Sequence, residues 1–200
     1  MKIIKLNKKN LSVALDEALS ALRSGGLVVI PTDTVYGLAV MPDNKSAINK
    51  LFKAKQRDNG KPIAMLASDR QALSENGFSL TKTEKRLADK YWPGPLTLVL
   101  KAGRRKEGIR VPDNHMAREL IRKAGGLLRV TSANISGNNP AITVAAALKE
   151  LDDSVAVYLD AGRSAIGVAS TVVEVKRGKP VILRQGAILE LDIVRIAGTR

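Results

Sequence analysis

The feature that most restricts the fold of this chain is a series of short apolar runs in which hydrophobic residues follow one another instead of alternating with polar ones. They include LVVI at 27–30, LTLVL at 96–100 and VAVYL at 155–159. A strand with one wet face shows a period of two, whereas consecutive apolar residues belong in a sheet covered on both faces. PIAMLA, LLRVTS, STVVEV and PVILRQ also read as strands. Between these runs the period changes to that of a helix. Leu11, Leu15, Ala18, Leu19 and Leu22 share one face, with Ser12 available as a cap and Gly25-Gly26 as a stop. NKSAINKLFKAK places Ile48, Leu51 and Phe52 on one side. TKTEKRLADKYW reads as a helix ending before Pro93-Gly94-Pro95, and HMARELIRKAGG and TVAAALKEL are two more. The alternation predicts an α/β fold, a single domain over residues 1–200 around a mixed sheet. VAVYLD, STVVEV and PVILRQ, joined by short turns, are expected to form an antiparallel portion.

Composition narrows the setting. Two hundred residues bury a sizeable core without staples. With no cysteine, disulfides and thiolate chemistry are excluded, which suits a cytoplasmic protein. MKIIKLNKKNLS is too polar for a signal peptide, and no apolar run approaches the roughly 18 residues of a membrane span. Thirty-three Lys and Arg against 19 Asp and Glu give a net charge of +14. Such a field attracts polyanions: nucleic acid, nucleotide phosphates or anionic lipid. The cations are spread along the chain, so a generally basic surface gives the same count. Aromatic residues make up 3%, too few for a base-stacking platform.

Polar clusters sit immediately after apolar strands, where sheet proteins place ligand sites. Thr32-Asp33-Thr34 follows LVVIP. Its hydroxyls suit a small polar substrate, or a turn that stabilises itself. In KAKQRDNGKP, Lys53, Lys55, Arg57 and Lys61 gather near a helix end, and an Asn59-Gly60 turn would fold Lys61 back towards Lys55 and Arg57. Point charges and a planar fork suit phosphate and carboxylate, although cations at a helix C-terminus also complement its dipole. In RVTSANISGNNP, Ser132, Asn134 and Ser136 alternate before Gly137, giving either an anion-binding concavity or an ordinary turn. Ser170 and Thr171 open a strand, and Arg184 closes the next one before Gly186. No Walker or dinucleotide-binding glycine pattern occurs. The single histidine, His115, has no nucleophile signature beside it and reads as a surface residue. No metal-ligand cluster and no carboxylate pair of glycosidase type stands out.

GGLVVIPTDTVYGLA, KAKQRDNGKPI, YWPGPLTLVL, GIRVPD, TSANISG, STVVEV and VILRQGAI occur in an order and spacing that resemble the YrdC/TsaC family, the threonylcarbamoyl-AMP synthases, over about residues 12–188. The resemblance implies a twisted sheet with a basic concave cavity. The implied reaction joins L-threonine, bicarbonate and ATP into threonylcarbamoyl-adenylate with release of pyrophosphate, and Mg2+ is held mainly by phosphates and water. Partner transferases then modify tRNA; tRNA or double-stranded RNA is a further implied partner. The family's catalytic pattern falls on Lys55 and Arg57, Lys55 near the carbamate and α-phosphate and Arg57 with Lys61 on phosphates. Thr34, with Thr32 beside it, and Ser170 would meet the amino acid; Arg110, Ser132 and Asn134 would serve the nucleotide, and Arg184 would clamp a phosphate. A family histidine two residues after the proline of RVPD is either replaced by Asn114 or displaced to His115. The family's Pro-Leu pair before TSAN is replaced by Leu127-Leu128-Arg129. The length corresponds to the short members, without an additional C-terminal domain. A second function remains open from the residues alone: a non-catalytic RNA-binding protein of the same fold, acting in tRNA or ribosome maturation. A sugar-phosphate lyase of related fold would need acidic magnesium ligands that the motifs do not supply.

Overall fold

A computed structural model describes residues 1–58 and 60–198. Ten strands form one mixed sheet: β1 (Lys2–Lys5), β2 (Val28–Ile30), β3 (Gly37–Val40), β4 (Met65–Ala67), β5 (Leu96–Ala102), β6 (Arg105–Arg110), β7 (Leu127–Ser132), β8 (Val157–Asp160), β9 (Thr171–Lys176) and β10 (Lys179–Arg184). Their order across the sheet is β1-β8-β2-β3-β7-β4-β6-β5-β9-β10. Seven helices flank it: α1 (Leu11–Arg23), α2 (Lys45–Ala54), α3 (Arg70–Glu75), α4 (Lys82–Tyr91), α5 (His115–Lys123), α6 (Val144–Leu151) and α7 (Glu190–Gly198).

Local chemistry fixes the helix starts. Asn44, Asp69, Asn114 and Thr143 each accept a backbone N–H from three residues ahead, and Thr81 with Glu84 makes a reciprocal capping box. Ser12 is not a cap: α1 begins one residue earlier, after Asn10, and makes no side-chain capping bond. Gly25 then leaves the helix at φ 76. Asn114 is thus occupied as a helix cap, and His115 points into solvent beside Glu119.

Two expectations are corrected. β9 and β10 do form an antiparallel hairpin, but β8 is not their neighbour. It lies parallel to both β1 and β2 at the other end of the sheet. Its alternate residues enter two different cores, Val157 and Leu159 on one face and Tyr158 on the other, which places it inside the sheet. The second correction concerns coverage. Around β2, β3 and β8, helices α1 and α5 pack on one face and α2 and α6 on the other. Around β5, β6 and β9 only one face is covered: Leu96, Leu98, Leu100, Ile109 and Val173 meet α3, α4 and α7. Their neighbours along the strands (Thr97, Val99, Gly108, Arg110 and Val172) turn to the opposite face and line a cavity.

Candidate functional site

The cavity has a volume of ≈ 550 Å³, within the range of roughly 300–1,000 Å³ usual for small-molecule sites. Leu66, Val130 and Ser132 extend its floor onto β4 and β7. Gly37 and Gly108 keep that floor low. A Cβ at Gly37 would stand 2.5 Å from Val130 Cγ1, so alanine there would force Val130 or the strand to shift.

The loop between β2 and β3 forms one wall. It holds Pro31 to Tyr36, all buried. Such a loop survives only if its polar groups are satisfied. Thr32 Oγ1 donates to Val35 O at 2.6 Å and accepts from Thr34 N at 3.2 Å. The 166–167 segment donates two backbone N–H groups to Asp33 O and Thr34 O. Tyr36 OH donates to Gly162 O at 2.6 Å and accepts from Ala161 N at 3.1 Å. Arg110, at the end of β6, reaches into the loop from the sheet. Its Nε donates to Gly94 O at 3.0 Å, its Nη1 to Thr34 Oγ1 at 2.7 Å, and its Nη2 pairs with Asp33 Oδ1. Arg110 and Asp33 are both buried. Burial lowers the Arg110 pKa, opposed by the Asp33 carboxylate. Asp33 Oδ1 also accepts from Asp113 N, while Oδ2 has no partner among the described residues.

The opposite kind of cation stands elsewhere on the wall. Arg57 follows α2 and donates from Nη2 to Pro62 O at 3.0 Å; its Nε has no partner among the described residues. Arg184, at the end of β10, donates from Nη2 to Ser170 O at 2.8 Å and Ser170 Oγ at 3.2 Å. Ser170 Oγ in turn shares a hydrogen bond of 2.8 Å with Thr97 Oγ1. Neither arginine makes an ion pair among the described residues, although the neighbouring Asp58 carboxylate partly offsets the charge of Arg57. Shielding from water lowers both pKa values, and for Arg184 the nearby Arg57 charge lowers it further. Two cations that repel each other across a cavity are stabilised by an anion placed between them.

Seven of the ten residues singled out in the sequence line this cavity: Thr32, Thr34, Arg57, Arg110, Ser132, Ser170 and Arg184. Three do not. Lys55 is buried behind the wall, where Nζ donates to Ser132 O at 2.5 Å and to Asn134 O. Burial, then the Arg57 charge, lowers its pKa to about 8. Asn134 donates to Ile135 O and Asn138 O, closing the turn that Lys55 holds. Lys61 is exposed and pairs with Asp58 at 3.1 Å. The turn expected to fold it back includes Asn59, which lies outside the described residues. The cavity also uses residues the sequence reading did not single out: Thr97, Tyr36 and Lys106, the last ion-paired with Glu174 at 2.8 Å. Asp33, noticed only as part of its motif, is the partner that fixes Arg110. Its sequence signal was a carboxylate among hydroxyls directly after an apolar strand.

Among the described residues the polar lining offers guanidinium, ammonium, hydroxyl and backbone groups and no carboxylate. Among the described residues no group of three or more His, Asp or Glu is gathered to hold a metal ion. No described helix is long and apolar enough to cross a membrane. The arrangement suits an anionic ligand of nucleotide size beside a small polar one.

Comparison with known proteins places this geometry among relatives. The model of the Sua5/YciO/YrdC family, described as "Telomere recombination", matches residues 20–186. The chain is 33% identical over 193 residues to the threonylcarbamoyl-AMP synthase of Bacillus subtilis, covering 91% of this chain and 56% of that protein. It is 35% identical over 157 residues to the threonylcarbamoyl-AMP synthase of Idiomarina loihiensis, covering 72% of this chain and 84% of that protein. The crystal structure of Pyrococcus abyssi Sua5 complexed with L-threonine superposes with a TM-score of 0.87 at 26% identity, covering 99% of this chain and 61% of that one. The chain therefore spans little more than half the length of the Bacillus and Pyrococcus proteins.

Proposed function

The chain belongs to the Sua5/YciO/YrdC family, and from that premise we propose that it is a threonylcarbamoyl-AMP synthase whose reactants meet in the cavity. The amine of L-threonine condenses with bicarbonate to a carbamate, with loss of water. A carbamate oxygen then attacks the α-phosphorus of ATP, and pyrophosphate leaves. This makes the chain a nucleotidyltransferase with ATP as a substrate. Each reacting group is an anion or becomes one, so the protein's task is to position them and stabilise charge; it needs no nucleophile of its own.

The observation that carries this reading is the convergence of Thr34, Arg57, Ser132, Ser170 and Arg184, from widely separated segments, on one cavity. Arg57 and Arg184 hold the phosphates, and Ser132 with the turn after β7 takes the adenylate. Lys55 acts through that turn, since its amine grips two carbonyls there. Lys61 reaches the phosphates only by exchanging its surface pairing with Asp58. Mg2+ travels with ATP: the wall presents guanidinium and hydroxyl groups, so phosphate oxygens and water are its ligands. The unstable adenylate passes to a transferase that acts on tRNA.

Incorporation of radiolabelled bicarbonate, measured with purified protein while threonine, ATP or bicarbonate is omitted in turn, tests the reading. Label incorporation that requires all three, matched by pyrophosphate release, is expected. Salt-sensitive RNA binding with no label incorporated would instead favour a binding protein of the same fold.

A further inference from the structure

Among the described residues, Lys106 supplies the one primary amine on the cavity wall. Lys55 is buried with its amine turned onto Ser132 O and Asn134 O, and Lys61 pairs with Asp58 outside the lining. β6 turns Lys106, Gly108 and Arg110 towards the cavity while Ile109 enters the core. On the same face Lys101 of β5 lies directly opposite Lys106, Glu174 of β9 lies beside Val99, and Lys176 faces Lys179. Glu174 is the carboxylate that serves these cations. One of its oxygens takes Lys106 Nζ at 2.8 Å and the other takes Lys176 Nζ at 3.2 Å. The Lys106 hydrogen bond leads the effects that lower the Glu174 pKa, so the carboxylate is charged at neutral pH. The Glu174 side chain is 13% exposed and that of Lys106 is 53% exposed. Lys101 makes no ion pair among the described residues. Like charges directly opposite each other destabilise a strand pair, so Glu174 holds together lysines that would otherwise repel.

The product gives this arrangement a purpose, and the inference rests on the synthase reading. A carbamoyl-adenylate is a mixed anhydride, and mixed anhydrides acylate neutral amines. It would form in a cavity of ≈ 550 Å³ that carries an amine on its wall. We propose that Lys106 is a self-acylation site of this chain and that Glu174 guards it, holding the amine as an ammonium and away from the reactive carbonyl. An ammonium has no lone pair with which to attack. In the guarded reaction the Nζ lone pair attacks the carbamoyl carbon. The bond from that carbon to the phosphate oxygen breaks, and AMP leaves with the oxygen. Nζ loses a proton, and a urea then links Lys106 to threonine. No oxidant or reductant takes part. The hydroxyls of the cavity are a smaller risk, because no described histidine or carboxylate lines it to activate them. Loss of the Glu174 carboxylate acts on Lys106 twice. It frees the side chain to turn into the cavity, and it leaves the ammonium opposite Lys101 with no counter-charge, which favours the neutral amine.

The test incubates the full chain with L-threonine, ATP and radiolabelled bicarbonate. Label that stays on the denatured protein is counted per pyrophosphate released and mapped by peptide mass spectrometry. In Glu174→Gln the label on Lys106 should rise about 10-fold over wild type, and pyrophosphate release should decline as it accumulates. Glu174→Asp should restore most of the protection. Lys106→Arg in the Glu174→Gln background should remove the label, with melting curves to show that each variant folds. Hydroxylamine in the solution destroys adenylate that has left the cavity, and the label on Lys106 should resist it. Label in Glu174→Gln no higher than in wild type overturns the inference. Label spread over the exposed lysines, or lost to hydroxylamine, overturns it too, since both mean attack by free adenylate. The guard is read separately with an N-hydroxysuccinimide ester, an acylating reagent that needs no turnover. Lys106 should react about 3- to 10-fold faster in Glu174→Gln than in wild type, and an equal rate would refute the guarding role. An absence of pyrophosphate release in every variant would sink the synthase reading and the self-acylation with it, while a faster ester reaction would leave the Glu174 guard standing.

Discussion

Arg110 and Arg184 both close a strand and both line the same cavity, yet their surroundings differ in kind. Arg110 is buried, and its three nitrogens meet Gly94 O, Thr34 Oγ1 and the Asp33 carboxylate. Arg184, with Arg57 close enough to lower its pKa, meets a carbonyl and a hydroxyl and no carboxylate among the described residues. A buried guanidinium such as Arg110 must be neutralised by the protein, whereas Arg57 is half-buried and Arg184 exposed, so water reaches both. Arg110 is neutralised from within and belongs to the scaffold of the β2–β3 loop. Arg57 and Arg184, without an ion-pair partner among the described residues, remain accessible to a ligand, the role proposed for them above.

The comparison breaks most visibly if Arg110 can be removed without loss. Arg110→Met strands the Asp33 carboxylate in a buried position, and thermal or urea unfolding is expected to show a loss of about 3–5 kcal/mol. Adding Asp33→Asn should recover a good part of that, because the uncompensated charge is gone. An unfolding curve for Arg110→Met that matches wild type would show that the pair does not hold the loop.

Arg57→Ala should show the inverse pattern. Bicarbonate incorporation is expected to fall by about 10²–10³, as for removal of a group that stabilises charge in the transition state. The melting curve should stay unchanged or rise slightly, since one member of a repelling pair is gone. A destabilised but active variant would exchange the roles assigned to Arg57 and Arg110.

Pyrophosphate sharpens the contrast without any turnover. It should raise the unfolding free energy of the wild type by about 2.7 kcal/mol at 100 times its Kd, by mass action. In Arg184→Ala that gain should shrink at equal concentration. An undiminished gain in calorimetric titration or melting would remove Arg184 from the anion site.

This division explains what the sequence disclosed. The helices with a clear apolar face and the unalternated strands were readable because burial imposes their period, as in α2 or β2. β6 was not, because RKEGIR runs from an exposed, basic hairpin end into the core, and only Ile109 and Arg110 are buried. β3 was hidden by a loop so polar that it read as the end of the strand pattern. The place of β8 depends on a parallel crossover that no local signal encodes. For the site, residue types could be read but partnerships could not. Asp33 and Arg110 stand 77 positions apart, and so do Lys55 and Ser132.

Lys55 is the smallest case and the most exacting, because among the described residues it has neither an ion-pair partner nor a place on the cavity wall, and only the Glu150 charge favours its protonated form. Its amine faces two carbonyl oxygens, and a neutral amine with two N–H groups satisfies both. Burial lowers its folded pKa to about 8 from the ordinary lysine value of 10.5. Between those values the unfolded chain keeps a proton that the folded chain releases, so stability from this group rises as pH increases through the window. Below pH of about 8 both states are protonated and the cost of burying the charge is fully present. Lys55→Met removes the titration but leaves the carbonyls without their donor, a penalty that does not vary with pH. The stability difference between wild type and Lys55→Met should therefore move in favour of wild type by about 1 kcal/mol between pH 7 and 9. Paired urea unfolding curves at the two pH values measure it. A difference that stays constant would mean that Lys55 keeps its charge in the folded state. It would then stand with Arg57 and Arg184 as a cation awaiting an anion, and not with Arg110 as part of the frame.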